Sequence, residues 1–345
     1  MVRSPTNSPA ISVLILLASV HCAFAQQRAS LTEPPPEMLG VDIDATTRER
    51  VIAGIVAKLN QIYVFPETAR KMEQALHAHL KKHEYDSISK GGEFAALLTK
   101  HLLDVSHDKH LAVTFSPTKL PDLTTPLTPQ QAESDRKRDA HVNCAFSKVE
   151  ILDGNIGYVK LGGFGPTDTC APTVTAAMNF VANADAVILD MRSPGGGDAV
   201  TVVFLESYLF DRPTHVNDIW TRSTDTTRQF WTQSQVPGKR VDTAPVFVLT
   251  SSHTFSAGEE LAYDLQSQKR ATVVGETTAG GAHPFRPERI DDRFTLRVPY
   301  ARAINPITKT DWEGVGVQPD VRVPEGDALA TAQKLAAKKI ASMQP

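Results

Sequence analysis

The sequence predicts an α/β protein with substantial parallel strand pairing, preceded by a small helical bundle. Two observations carry this. Short apolar runs, Gly157–Leu161, Ala186–Asp190, Val246–Leu249 and Thr272–Val274, alternate with longer helix-patterned stretches near 171–184, 199–210 and 257–268. Upstream, three segments place apolar residues at helical spacing without intervening strands. No repeat of solenoid length interrupts the pattern.

The first residues have the layout of a secretory signal, residues 1–25. Arg3 leads a polar start, an apolar run covers 10–20, and Ala23-Phe24-Ala25 forms a small-x-small cleavage site. That run is about half of what a membrane-spanning helix needs, so no integral membrane segment is expected once it is removed. Cys22 follows His21, a poor match to the small residue that precedes a lipidated cysteine. Export to the periplasm or the extracellular space is therefore expected. Residues 26–43, with Pro34-Pro35-Pro36, read as a Pro-rich tether.

The helical domain is expected over 44–115. Asp44 or Thr46 can cap a helix with the stripe Val51, Ile52, Ile55, Val56, Leu59; Pro66 opens a second, and Phe94, Leu97, Leu98, His101 and Leu102 mark a third. An apolar strand, Leu111–Phe115, follows. Residues 116–143, rich in proline and then in charge, read as a linker. The main core is expected over 144–326, and a C-terminal helix over 327–345.

Composition narrows the function classes. The 345 residues are 41% hydrophobic, which suits packed globular domains. With 36 Lys+Arg against 39 Asp+Glu, a formal charge of −3, no nucleic-acid or anionic-membrane partner is indicated. Past the signal only Cys144 and Cys170 remain. In an exported chain they form a disulfide or sit as two separate buried thiols.

Ser256 is the leading candidate for chemistry. It begins a helix after the strand 246–249, where unpaired backbone N–H groups can stabilise developing negative charge. The same Ser256-Ala257-Gly258-Glu259 also fits a capping box, in which the hydroxyl only satisfies the backbone. Gly195-Gly196-Gly197, after the strand ending at Leu189, reads as a tight turn or as a source of oxyanion donors. It matches no phosphate-binding glycine pattern. Candidate bases are His107, His110, His253 and His283, or a lysine. His107 and His110 share the i, i+3 spacing of a metal pair, but no completing ligand set is present, so no metal is expected. Glu313, in the turn Asp311–Asp320, can orient a base or merely face solvent.

Six segments in order carry a resemblance: Asp108-Lys109-His110-Leu111, Ile156–Phe164, Leu189–Gly197, Thr250–Glu260, Val273–Ala282 and Glu313–Asp320. Together they resemble the tail-specific or C-terminal processing serine peptidases, in the branch similar to interphotoreceptor retinoid-binding protein and the tricorn protease core. The resemblance implies a crotonase-like core of β-β-α units behind a helical domain, acting on protein or peptide substrates without a cofactor. It implies Ser256 as nucleophile, His110 as base and Glu313 as acid. The Ala257 N–H and a glycine of the Gly195-Gly196 pair are the implied oxyanion donors. Relatives with a Ser-Lys dyad carry lysine where Gly281 stands, which argues against a dyad. Residues 116–143 are too few for a PDZ domain. Because retinoid-binding relatives reuse the fold, a carrier of retinoid-type or fatty-acid-type apolar ligands is the alternative, and a scaffold without catalysis is a third. Nothing in the sequence fixes the oligomeric state.

Overall fold

The computed structural model describes residues 41–121, 126–193 and 195–343. The expected signal peptide, and the expected tether up to residue 40, lie outside the described residues. The last tether residues are tied down: the Ile43 N–H donates to the Ser89 carbonyl at 2.8 Å, and the Gly91 N–H to the Val41 carbonyl at 3.0 Å.

Helix α1 (Ala45–Ile62) starts where the Asp44 carboxylate accepts the Thr47 N–H at 2.7 Å, and it buries Val51, Ile52, Ile55, Val56, Leu59 and Ile62. Helix α2 (Pro66–Lys81) has proline at its first turn, where the missing N–H costs nothing. Helix α3 (Gly91–Ser106) ends at left-handed His107, φ 56°, whose N–H returns to the Leu103 carbonyl. The three do not form a closed bundle. Strand β1 (Ala112–Phe115) pairs antiparallel with β10 (Phe294–Pro299), which pairs with β9 (Phe285–Arg289). Phe294, Leu296 and Val298 complete the helices' hydrophobic core.

Where a linker was expected, residues 129–141 form helix α4 (Pro129–His141). Thr128 and Gln131 make a reciprocal capping box, and the helix buries no residue. Local capping and acid–base pairs such as Arg136 with Glu133 account for it, since there is no apolar stripe to do so. A short 3₁₀ turn (Asn143–Ala145) leads into the main sheet. There Cys144 is disulfide-bonded to Cys170, with Cα atoms 5.6 Å apart.

The main sheet has six strands in the order β12, β8, β7, β4, β3, β2. Its first hairpin, β2 (Phe146–Leu152) with β3 (Ile156–Leu161), is antiparallel. From β3 onward, β4 (Ala186–Asp190), β7 (Val246–Thr250), β8 (Ala271–Gly275) and β12 (Val321–Arg322) run parallel. Every residue of β4 and β7 is buried, as strands covered on both faces require. Alternate side chains divide between two cores. Val187, Leu189, Val246 and Val248 pack under α5 (Thr167–Phe180), α6 (Ala199–Glu206) and α7 (Ala257–Ser267). Ile188, Phe247 and Leu249 meet Ala328, Ala332 and Ala336 of α8 (Glu325–Met343) on the other face. A third sheet, β11 (Ala301–Ile304), β5 (His215–Thr221) and β6 (Thr226–Trp231), is antiparallel.

Candidate active site

Ser256 stands between the end of β7 and the start of α7 with φ 54° and ψ −123°, a region that non-glycine residues rarely occupy. Its N–H donates to the Glu259 carboxylate at 2.8 Å, and its carbonyl accepts the Glu259 and Glu260 N–H groups at 2.8 and 2.9 Å. Ser256 and Glu259 thus have the reciprocal arrangement of the capping box, in which the Ser256 side chain faces the Glu259 N–H while that N–H bonds to the Ser256 carbonyl. Glu259 is fully buried and also accepts the Thr278 hydroxyl and the Gly280 and Gly281 N–H groups. Burial pushes its carboxyl up to about 7 against the pull of those hydrogen bonds. One carboxylate therefore ties the serine loop to the 276–282 loop.

The glycine loop is bolted to the same helix start. The Ser251 hydroxyl donates to the Arg192 carbonyl at 2.8 Å, the Thr254 hydroxyl to the Met191 carbonyl at 2.7 Å, and the Gly258 N–H to the Gly195 carbonyl at 3.1 Å. A Cβ on Gly195 would lie 2.3 Å from the Gly162 carbonyl oxygen, so only glycine permits this approach. The N–H groups of Ala257, Gly195 and Gly196 donate to no backbone acceptor among the described residues.

His110 lies on the turn from α3 to β1. Its ring is buried, 4.6 Å from the Phe255 ring and 5.4 Å from that of Phe285. Its Nδ1 has no hydrogen-bond partner among the described residues and is 3.9 Å from Asp108 Oδ1. Burial pushes the imidazole down to about 4, outweighing the pull of Asp108. Asp108 is engaged elsewhere: its Oδ2 meets His283 Nδ1 at 2.7 Å and accepts the Tyr63 hydroxyl at 3.1 Å. His283, also buried, is raised despite its burial by that hydrogen bond and by Asp108 and Glu313. Glu313 Oε2 accepts the Ala282 N–H at 2.5 Å and lies 3.5 Å from His283 Nδ1, while Oε1 is buried without a partner. Burial first, then Asp108, pushes Glu313 up to about 7.

Of the expected residues, the structure gathers His110 and Glu313: one potential ligating atom from each, and one from Asp108, lie within 4.8 Å of one another. Phe255 brings the Ser256 loop against His110, but no hydrogen bond joins the Ser256 hydroxyl to that ring among the described residues. His253 is exposed and His107 ends α3; neither joins the cluster. A Cβ on Gly281 would come within 2.3 Å of the Phe255 ring and 2.8 Å of His110 Cε1, so two rings fill the space a lysine there would need. Sequence reasoning gave no part to Asp108 or Tyr63 and left His283 among several possible bases. The Asp108–His283 contact spans 175 positions, and neither residue sits in a pattern that points to the other.

Two family models match the chain: "Peptidase family S41" over residues 155–323, and "N-terminal domain of Peptidase S41 in eukaryotic IRBP" over 45–153. The chain belongs to peptidase family S41, a family of serine-type peptidases. Carboxyl-terminal-processing peptidase 2 of Arabidopsis thaliana, chloroplastic, is 30% identical over 198 residues, 53% of this chain and 36% of that protein. The carboxyl-terminal-processing protease of a Picosynechococcus species is 28% identical over 214 residues, 59% of this chain and 49% of its own length. The matched region thus spans half or less of these relatives. Mature CPAF superposes with a TM-score of 0.63 at 10% identity, covering 87% of this chain and 99% of CPAF. A putative peptidase from Parabacteroides merdae gives 0.59 at 16% identity, covering 84% and 96%. At these identities the likeness establishes a shared fold.

Proposed function

We propose that the protein is an exported serine-type peptidase that hydrolyses peptide bonds of proteins or peptides, with Ser256 as nucleophile, on a crotonase-like β-β-α core. The observation that carries this reading is the helix start itself. The Glu259 N–H makes its hydrogen bond to the Ser256 carbonyl, so the capping box places the Ser256 side chain at the helix start without a side-chain cap hydrogen bond, beside the Ala257 N–H and the glycine loop. The family membership points the same way.

In the proposed reaction Ser256 Oγ attacks the substrate carbonyl carbon as His110 takes its proton. The Ala257 N–H and one from Gly195 or Gly196 hold the oxyanion. His110 then hands the proton to the leaving amine, and water, activated by the same ring, releases the acyl group. An imidazole pushed down to about 4 is neutral at pH 7 and ready to accept a proton, yet it needs a carboxylate to stabilise the imidazolium. His110 Nδ1 and Glu313 Oε1 are both buried without partners, and a small closure on substrate binding would give each the other. The Cys144–Cys170 disulfide fits an oxidising compartment and supports export.

Ser256→Ala should retain the wild-type melting profile, lose labelling by a fluorophosphonate and cut peptide-library cleavage by at least about a thousandfold. Undiminished cleavage would remove Ser256 from the reaction. The lack of a hydrogen bond between the Ser256 hydroxyl and His110 among the described residues leaves a carrier of apolar ligands as the second reading. Absence of labelling together with saturable uptake of a fatty acid or retinoid would favour that reading.

A further inference from the structure

Strand β10 carries Arg297 on the face of the small sheet that turns away from the helical core. The register sets this: Val113 pairs with Leu296, and both are buried with Val298 among α1 to α3, so Arg297 and its partner Ala112 face the other way. On that face Phe285 forms a bridge, its ring 5.3 Å from Arg297 Cζ and 5.4 Å from the His110 ring.

This guanidinium has no counterion among the described residues. Its Nε is buried without a hydrogen-bond partner, and burial alone lowers its tendency to hold a proton. Neighbouring cations are already matched: Arg286 and Lys58 to Glu288 at 2.8 and 2.7 Å, and Arg289 to Asp292. Holding a cation out of water without an anion is costly, and a fork of parallel N–H donors fits a carboxylate. The side chain is half-buried rather than sealed, so a ligand can reach its tip.

We propose that Arg297 is a specificity-determining residue that binds a carboxylate of the peptide substrate close to the bond being cleaved. The inference rests on the peptidase reading above. Phe255, next to Ser256, touches His110, which touches Phe285, which touches Arg297. From the Phe255 ring to the Arg297 guanidinium that path is between about four and five extended residues, at roughly 3.5 Å each. The carboxylate is either a free C-terminus or an Asp or Glu side chain.

The test uses a mixed-sequence peptide library made as free acids and as C-terminal amides, each with and without Asp and Glu exchanged for Asn and Gln. Binding is measured to full-length Ser256→Ala, where turnover plays no part, and kcat/KM is measured with the wild type. Carboxylate-bearing forms should bind at least about tenfold more tightly than neutral ones, with the preference expressed in KM more than in kcat. The acid–amide pair and the Asp/Glu–Asn/Gln pair identify the source of the carboxylate. Arg297→Gln should lose affinity selectively for the charged forms, and Arg297→Lys should restore part of it. Equal binding of charged and neutral peptides to Arg297-bearing protein overturns the proposal without any variant of that residue, so a misfolded Arg297→Gln does not leave it undecided. A uniform loss across all peptides in folded Arg297→Gln also overturns it and assigns a structural role. Wild-type cleavage without carboxylate preference sinks this inference and spares the peptidase reading. Arg297-dependent binding without any wild-type cleavage does the reverse.

Discussion

Gly281 shows how one missing side chain shapes the site. The Phe255 and His110 rings occupy the volume that any Cβ there would enter, at 2.3 and 2.8 Å. Both rings belong to loops held by buried hydrogen bonds, so neither yields freely. Gly281→Ala should therefore displace His110, lower kcat/KM by about tenfold or more, and destabilise the fold by roughly 1–3 kcal/mol of overpacking. Steady-state kinetics beside a thermal melt would check this; unchanged kinetics would mean that the rings relax without effect on the site. The same residue marks what was legible locally. Glycine at 281, the glycine loop and Ser256 at its helix start could be read because each is a short pattern with a backbone consequence. The Asp108–His283–Tyr63 network could not, because its members meet only through tertiary packing.

At the scale of elements, α6 and α7 bury three carboxyl groups between them. Glu206 is fully buried and both its oxygens lack partners among the described residues; Asp264 Oδ2 lacks one as well, while Glu260 accepts the Asn217 amide at 2.9 Å. Burial, then the neighbouring carboxyls, pushes Glu206 and Asp264 well above the usual range, and burial pushes Glu260 up to about 7. The folded state therefore keeps protons that the unfolded chain releases. Stability is greatest below the ordinary carboxyl range and declines as pH rises through about 7. Glu206→Gln removes one titrating group, so its melting temperature relative to wild type should improve between pH 5 and pH 8. Calorimetry at the two pH values decides it: a constant difference would show that Glu206 does not carry the proton.

The elements that sequence periodicity identified are those with a continuous apolar face: α1 to α3, the buried strands β4 and β7, and α7. Of those it missed, β10 has such a face in Phe294, Leu296 and Val298, while three others lack one. Strand β6 buries only Phe230, β9 buries no residue fully, and α4 is polar all round. Their partners and caps, rather than their own patterns, define them.

Across the whole molecule, the small β1–β10–β9 sheet joins the N-terminal helical segment to strands over 285–299, far along the chain. Without Phe294, Leu296 and Val298, α1 to α3 would expose the surface those residues cover. A fragment of residues 41–121 should accordingly show no cooperative thermal transition by circular dichroism, and a sharp melt would establish that the helical unit folds independently.

That pairing also has a consequence in time. A polypeptide is made from its N-terminus, so the strand that seats His110 emerges early and must wait for Leu296 before it has a partner. A nascent chain that already displays Ser256 still lacks the scaffold of its proposed base. Cleavage competence would then arrive only near the end of synthesis, which keeps an incomplete copy from acting on its surroundings or on itself.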